Sequence, residues 1–349
     1  MDVTLVVETL DQSEGGIPRY NFEISKIREI KNVIEFRKSI KNERLSDKLL
    51  NRAYRRKDIL EENRRKIGKI VHFTQPEIMP KTHAIDGKKV VLTVHDLAVF
   101  GTMRSRNIYS LLRAALFRKQ FRYAIRRADT IIVNSNQTKS EIVKILKVDT
   151  YKIKVSNLGV DGKFRPIKTQ KKDNIIGYFG GFDKRKRVGK LIRDFLSSRL
   201  SDRYSILIYG PENRAYRSLR NRFSSLGSVK FMGKIPEEDM TKTINKFKYF
   251  VSATSYEGFG LPLLEAIACG IPTFIYNDAV IPAEVRPLVK TINRLDDITF
   301  YSYGAIKKDF MKKSKIVRKR FSWDKTREVT LSVYRHLSSE ERDSIGQDL

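Results

Sequence analysis

Short runs of β-branched and aromatic residues alternate with longer amphipathic stretches along almost the whole chain. In the first half these runs predict six strands, at Val3–Glu8, Val33–Phe36, Lys69–Phe73, Val90–Val94, Thr130–Val133 and Ile153–Val155. In the second half they predict six more, at Ile175–Phe179, Ser205–Tyr209, Val229–Met232, Tyr249–Ser252, Thr273–Tyr276 and Val289–Ile292. Strands that alternate with helices pair in parallel, with helices on both faces of the sheet. The pattern therefore predicts an α/β protein with two doubly wound, Rossmann-like sheets.

The length of 349 residues is comfortable for two domains. A proline followed by a polar, basic run over Phe164–Lys172 predicts the linker. We therefore expect an N-terminal domain over residues 1–165 and a C-terminal domain over residues 173–322. The amphipathic segment at about 323–340 is expected to dock against a domain, with the first domain as the candidate. Two such sheets would bind ligands in a shared crevice at the carboxyl ends of their strands.

The charge balance limits the partners. Seventy Lys and Arg residues against forty Asp and Glu give a net charge of +30. An anionic partner would fit this charge, and nucleic acid, anionic lipid and phosphorylated substrates remain open alternatives beside a general compositional bias.

Cys269 is the only cysteine, and the N-terminus lacks the features of a signal peptide. These features predict a cytoplasmic protein, with peripheral contact to the inner membrane face as an addition.

The most informative stretch is the glycine-rich segment that follows the predicted strand at Tyr249–Ser252. Gly258 and Gly260 allow backbone amides to approach a ligand closely, and Pro262 favours the first turn of a helix. Such a helix directs its positive N-terminus at the crevice, where a diphosphate would be stabilised. Glu257 precedes the glycines, while Glu265 lies within the helix, so the two carboxylates would be well separated. Carboxylates at these two positions suit a sugar and a ribose diol.

The segment Glu257 to Glu265 resembles the Glu-x7-Glu signature of glycosyltransferase family 4. The resemblance extends over most of the chain, through Cys269–Thr273, Gly15–Ile17, His95–Leu97, Asn157–Asp161, Gly180–Lys186 and Phe321–Trp323. It implies a GT-B fold, a nucleoside diphosphate sugar as donor and transfer with retention of the anomeric configuration. It also implies that Glu265 holds the ribose, that Glu257 contacts the sugar, and that the segment containing Gly258, Phe259, Gly260 and Leu261 meets the diphosphate.

A basic loop follows the first predicted strand of the second domain, at Gly180–Arg187. A cation in this position would stabilise the charge that develops on a departing diphosphate. Lys186 matches the phosphate-binding lysine of the family. Many members also carry an arginine where this chain has Gly181, so Arg185 or Arg187 would have to replace that contact, or the contact is missing.

In the first domain, Gly15 and Gly16 lie between the first strand and a helix. Two glycines at such a turn are often only structural, but the resemblance implies that this loop faces the donor phosphates and the acceptor. His95 and Asp96 end another strand on the crevice side, and the resemblance implies that His95 contacts the transferred sugar. Asp96 would orient His95 or cap the following segment.

The sequence contains no Asp-x-Asp motif, and its four histidines lack the spacing of metal ligands. We therefore predict no cofactor and no metal, because a lysine and a helix N-terminus would serve the diphosphate instead. Inversion by a dedicated carboxylate base is the mechanistic competitor. The resemblance implies front-side attack instead, with the leaving phosphate accepting the proton of the acceptor.

The basic amphipathic stretch Lys41–Lys66 would either face anionic lipid or form a solvated helix face. Taken together, the sequence predicts transfer of a hexose from a UDP- or GDP-linked donor to a glycan, lipid-linked or protein acceptor. A phosphorylase or epimerase shares the fold class. An inactive protein that binds nucleic acid or another polyanion is the alternative from a different class, although the presence of both glutamates and Lys186 makes nucleic acid an unfavoured partner.

Overall fold

The computed structural model describes residues 1–39, 50–101, 108–168 and 174–346. Twelve strands lie in these ranges: β1 (Val3–Val7), β2 (Ile30–Glu35), β3 (Ile70–Phe73), β4 (Lys89–Val94), β5 (Thr130–Val133), β6 (Ile153–Val155), β7 (Ile175–Phe179), β8 (Ser205–Tyr209), β9 (Val229–Gly233), β10 (Tyr249–Ser252), β11 (Thr273–Tyr276) and β12 (Lys290–Ile292). The predicted strands are present, and β2 begins three residues earlier than expected.

The helices follow the strands along both halves of the chain. They are α1 (Gly16–Ser25), α2 (Phe36–Ser39), α3 (Leu50–Glu62), α4 (Ala98–Gly101), α5 (Ile108–Arg127), α6 (Asn136–Leu146), α7 (Val188–Leu196), α8 (Arg214–Phe223), α9 (Met240–Lys246), α10 (Leu261–Ala268), α11 (Tyr303–Arg320) and α12 (Trp323–Gly346). The first nine residues of the basic stretch Lys41–Lys66 and the last four residues of the predicted linker, 169–172, lie outside the described residues.

The first sheet has six parallel strands in the order β2-β1-β3-β4-β5-β6. Its central strands are buried on both faces, as continuous β-branched runs in a parallel sheet require. The strand β2 lies at the edge, and Lys31 and Val33 are exposed there. Its first residues, Ile30–Asn32, have little apolar character, which explains why the hydrophobic pattern marks its start too late.

The second sheet is also six-stranded and parallel, in the order β12-β11-β10-β7-β8-β9. The chain moves outward from β7 through β8 to β9 and then returns to β10 on the other side of β7. The strand order therefore reverses between β7 and β10, which is where doubly wound sheets bind their ligands. The predicted fold class, with two Rossmann-like parallel sheets, is confirmed.

The chain divides into two compact units, Met1–Leu158 with Trp323–Leu349, and Gly159–Ser322. Helix α12 therefore belongs to the first unit although it follows the second in sequence. The Thr326 hydroxyl donates to the carbonyl of Asn157 at 2.8 Å, and Tyr334 is fully buried. Over the described ranges, we find no helix with the length and apolar character that crossing a membrane requires.

Candidate active site

The glycine-rich loop after β10 is held between two neighbouring loops of the second unit. The Ser255 amide donates to the carbonyl of Arg185 at 2.7 Å, which ties it to the loop after β7. On its other side, Val280 donates to the carbonyl of Ser255, and the amide of Glu257 donates to the carbonyl of Val280, both at 2.9 Å. These backbone contacts place Glu257 at the point where the strand order reverses.

Helix α10 starts directly at the glycines. Gly260 has a φ of 92°, in the left-handed region that glycine tolerates best, and its carbonyl accepts from the amides of Leu263 and Leu264. A Cβ at Gly260 would also lie 3.1 Å from Leu263 Cδ1. Pro262 occupies the first turn, where a missing N–H costs no hydrogen bond. Among the first four residues of α10, Pro262 has no N–H and Leu263 and Leu264 donate to Gly260, so the Leu261 amide and the positive end of the helix are what this turn offers to an anion.

The second glutamate of the signature lies on the second turn of α10. Glu265 is only 3% exposed, and the helix around it is apolar. Gly258, Phe259 and Leu261, the other loop residues expected to face the donor, are buried as well. A carboxylate held so deeply in an apolar helix is costly unless it is hydrogen-bonded, which favours a functional reason for its presence.

Lys186 and Glu257 form a buried ion pair. The Lys186 ammonium lies 2.6 Å from Oε1 and 2.8 Å from Oε2 of Glu257, and the two residues are 8% and 5% exposed. Arg185 reaches the same carboxylate, with its Nη1 atom 3.4 Å from Oε2 of Glu257 and 2.9 Å from the carbonyl oxygen of Tyr256. The structure thus brings together the expected phosphate-binding lysine and the expected sugar-binding glutamate.

The neighbouring arginine points to a different partner. Arg187 contacts Asp278 through both terminal nitrogens, at 2.5 and 2.7 Å, and donates to the carbonyls of Ala253 and Thr254. Its backbone is left-handed, with a φ of 48°, which is uncommon for a non-glycine residue. Arg187 therefore connects the loop after β7 to the loops after β10 and β11. Arg185 is the arginine that lies beside Glu257.

The candidate residues of the first unit follow β1 and β4. Gly15 has a φ of 127°, and a Cβ there would meet no atom within 4 Å, so backbone conformation alone favours glycine. Gly16 is the first residue of α1. Asp96 Oδ1 accepts from the amide of Ala98 at 3.0 Å and so caps α4, which is the second of the two roles expected for it.

His95 directly precedes Asp96 and is enclosed by its neighbours. Burial lowers the pKa of His95 from 6.5 to about 4, so its imidazole is neutral at pH 7. The carbonyl of Thr74 accepts a hydrogen bond from the ring. The Tyr20 ring meets the imidazole edge to face, with 5.0 Å between the ring centroids.

Two family models match consecutive parts of the chain. The model described as Glycosyltransferase Family 4 matches residues 24–163, and the model described as Glycosyl transferases group 1 matches residues 161–292. The chain belongs to the family 4-like glycosyltransferases of the GT-B fold. The family that the sequence resembles is thereby confirmed, and the protein is a transferase.

The chain is similar in sequence to proteins that are named as glycosyltransferases. It is 24% identical to the O-antigen chain mannosyltransferase B of Escherichia coli over 273 residues, which cover 72% of this chain and 71% of the relative. It is 25% identical to a D-inositol 3-phosphate glycosyltransferase of Mycobacterium leprae over 235 residues, which cover 60% of this chain. That match spans about half of the relative, at 54% of its length.

Solved structures agree on the fold. A sucrose-phosphate synthase from Thermosynechococcus elongatus superimposes with a TM-score of 0.75 at 15% identity, covering 97% of this chain and all of that one. A glycosyltransferase from Rickettsia africae superimposes with a TM-score of 0.66 at 17% identity, covering 96% of this chain and 98% of that one. At this level of identity the likeness concerns the fold.

One residue near the ion pair of this glycosyltransferase was not expected from its sequence. Tyr178 lies on β7, and its hydroxyl donates to the carbonyl of Gly181 at 2.6 Å, which attaches the basic loop to the strand before it. Burial raises the pKa of Tyr178 well above its ordinary value, and the nearby Glu257 carboxylate adds to the rise. A tyrosine within an apolar strand reads as a core residue, so no sequence signal distinguishes it.

A cavity borders the basic loop that follows β7. This cavity of about 530 Å³ lies between α7 and α8 and is lined by Phe182, Lys184 and Arg193 among others, but by neither glutamate of the signature.

Within the described part of the chain, no group of three or more His, Cys, Asp or Glu residues could hold a metal ion. Metal independence remains a prediction.

Proposed function

We propose that this enzyme transfers a hexose, with retention of its anomeric configuration and without a metal, from a nucleoside diphosphate sugar to a glycan acceptor. The observation that carries the proposal is the buried Lys186–Glu257 pair beside the N-terminus of α10. A lysine this deeply buried at the point where the strand order reverses is placed to meet an anionic leaving group.

The donors around the pair suit a diphosphate. A lysine ammonium has three N–H groups, and two of them can serve the two oxygens of Glu257. The third is left for a phosphate oxygen, so Lys186 can bridge the carboxylate and the ligand. The positive N-terminal end of α10 and the guanidinium of Arg185 add further positive charge on the same side of the sheet. This donor set supports a metal-independent site.

Glu257 and Glu265 are then assigned to the sugar and the ribose, as the family signature implies. Each is buried, so a hydroxyl that bonds to either carboxylate is recognised strongly and directionally. In the first unit, His95 is neutral at pH 7 and can accept a hydrogen bond from a hydroxyl of the hexose. Gly15 and Gly16 are assigned to the donor phosphates because the family resemblance implies it.

In the proposed reaction, the bond from the anomeric carbon to the diphosphate oxygen breaks while the acceptor oxygen attacks the same face. The leaving phosphate accepts the acceptor proton, which removes the need for a separate protein base. Lys186 stabilises the negative charge that builds on the diphosphate, so its contribution is largest in the transition state. Retention follows from same-face attack.

For the hexose we propose mannose, and for the acceptor a glycan of the kind that the O-antigen relatives extend. Contact with an anionic membrane is proposed as an addition, because α3 and α5 are basic and expose Tyr54 and Leu116. A lipid-linked acceptor would bring the enzyme to such a surface.

A transfer assay tests the proposal. Purified enzyme is incubated with methyl α-mannoside or a mannobiose and GDP-mannose, UDP-glucose or UDP-N-acetylglucosamine, with EDTA or with magnesium, and the new linkage is read by proton NMR. We expect an α-linked product from one α-linked donor in EDTA, its loss in Lys186→Met, and its survival in Lys184→Met, a matched change of an exposed lysine of the same loop. A β-linked product would refute retention, and strict dependence on magnesium would refute metal independence.

A further inference from the structure

A chain of buried polar side chains crosses the first unit from α12 to β4. The Tyr334 hydroxyl lies 2.6 Å from His72 Nδ1, and His72 Nε2 lies 2.7 Å from Thr93 Oγ1. Thr93 Oγ1 lies 2.9 Å from the hydroxyl of Tyr20, which also bonds to the side chain of Thr330. All five residues are at most 1% exposed.

Packing alone does not explain this chain of hydrogen bonds. Burying polar groups is unfavourable unless each is satisfied, and apolar side chains of the same size would fill the space at lower cost. What a fully bonded network provides is a single fixed geometry. In this unit the side chain that the network fixes nearest the candidate site is Tyr20, which is held through its hydroxyl by Thr93 and Thr330.

The ring of Tyr20 is in direct contact with His95. The ring centroids are 5.0 Å apart and the planes meet at 83°, which is the favourable edge-to-face arrangement. Thr93, which anchors the tyrosine hydroxyl, lies on β4 two residues before His95, which directly follows the strand. The tyrosine and the histidine are therefore positioned by one element, and neither shifts independently of the other.

The hydrogen bonds of His95 define its tautomer. The carbonyl of Thr74 accepts from the imidazole. Nε2 has no hydrogen-bond partner among the residues that the structure describes, so Nδ1 is the donor. His95 is thus protonated on Nδ1 and keeps the lone pair of Nε2, which makes Nε2 an acceptor for a hydroxyl group.

We propose that Tyr20 is a positioning residue that holds the imidazole of His95 so that Nδ1 donates to Thr74 and Nε2 remains an acceptor for the transferred hexose. The inference rests on the proposed function in one respect, the assignment of the hexose as the ligand of His95. With the ring of Tyr20 removed, the imidazole has space to rotate. The ring would then exchange between orientations and tautomers.

Nitrogen NMR of the histidine side chains tests the positioning without using activity. The full chain has four histidines, so selective ¹⁵N labelling resolves them, and His95→Gln assigns the signal. We expect a single tautomer protonated on Nδ1 in the unaltered enzyme, averaging between tautomers in Tyr20→Leu, and a smaller degree of averaging in Tyr20→Phe, which keeps the ring but loses the hydroxyl that anchors it. If Tyr20→Leu fails to fold, Tyr20→Met takes its place. An unmixed Nδ1-protonated signal in the leucine or methionine variant would overturn the proposal.

Kinetics provide the second measurement. We expect Tyr20→Leu to lower kcat by roughly 10- to 100-fold with little change in the KM for the donor, because a displaced group impairs the reaction more than binding. Tyr334→Leu is the matched control, since it removes a buried tyrosine of the same network that does not touch His95. Equal losses of kcat in both variants would assign Tyr20 a structural role only. Absence of any transfer by the unaltered enzyme would refute the proposed function, and the NMR result would still decide the positioning.

Discussion

Replacing Lys186 by methionine leaves the carboxylate of Glu257 buried without its main partner. Two unit charges 2.6 Å apart attract by about 6 kcal/mol at an effective dielectric constant of about 20, and desolvation offsets much of this. Removing one member of a buried pair typically costs about 3–5 kcal/mol, because the other charge stays uncompensated. Since Arg185 remains 3.4 Å from the carboxylate, we expect a loss of about 3 kcal/mol.

Amide hydrogen exchange in β7 and β10 measures this loss, since both strands lie in the unit that holds the pair. The double variant Lys186→Met with Glu257→Gln has neither charge, so it should recover most of the stability and lie within about 1 kcal/mol of the unaltered enzyme. Lys190→Met is the matched control. Its pair with Asp194 in the same unit is partly exposed, and Asp194 keeps its hydrogen bond from Tyr276, so we expect a loss of only about 1 kcal/mol.

The same variants separate stability from catalysis. Lys186→Met and the double variant should both lose about 10²- to 10³-fold in kcat, because each lacks the cation that meets the leaving diphosphate. Exchange rates in Lys186→Met equal to those of the unaltered enzyme, or a double variant less stable than the single one, would refute the account of the ion pair.

Three further predictions follow from other parts of the fold. Gly177→Ala should destabilise the second unit by at least about 1–3 kcal/mol in urea titrations followed by circular dichroism, because its Cβ would lie 2.2 Å from the ring of Phe247; an unchanged midpoint would contradict the packing. Burial lowers the pKa of His72 from 6.5 to about 3, so between these values the unfolded chain binds a proton that the folded chain does not. His72 therefore lowers the free energy of unfolding by about 1.4 kcal/mol per pH unit as the pH falls through this window. In His72→Asn, the free energy of unfolding should fall less steeply between pH 6.5 and pH 5 than in the unaltered enzyme. His336→Asn, which changes an exposed histidine, should leave the slope as it is. Glu265→Gln should weaken nucleotide binding by about 10- to 100-fold in calorimetry, since one charge-assisted hydrogen bond becomes neutral; an unchanged affinity would remove Glu265 from the ribose site.

Much of the fold could be predicted because a parallel sheet buried on both faces leaves a strong signal. Strands such as β7 and β10 are nearly continuous apolar runs, and helical patterns separate them. The edge strand β2 was the weak point, since Lys31 and Asn32 lack that signal. Edge residues face water, so burial does not constrain their side chains.

The candidate site could be predicted only in part. The glycine loop and Glu265 fall where the signature indicated, because local spacing fixes the start of α10. The contact between Lys186 and Glu257 could not be derived, since the two residues are 71 positions apart and meet only through the pairing of β7 with β10. Sequence also left open whether Arg185 or Arg187 replaces the missing phosphate contact, and in the structure Arg185 lies beside Glu257 while Arg187 contacts Asp278.

The buried hydrogen-bond network of the first unit could not be predicted from the sequence. His72 lies within an apolar strand, and its two hydrogen-bond partners, Thr93 and Tyr334, are 21 and 262 positions away. Polar residues in such strands appear as isolated exceptions to the pattern. Only the docking of α12 against β3 shows that they are bonded to one another.

The most direct test of the donor site is calorimetric titration of the full chain with UDP, GDP, ADP and TDP in EDTA, repeated on Lys186→Met and on Lys184→Met. The account predicts that one nucleotide binds without metal, that Lys186→Met weakens it at least tenfold, and that Lys184→Met leaves it unchanged. Binding that requires a divalent cation, or that is equally strong in both variants, would contradict the assignment of Lys186 to the diphosphate.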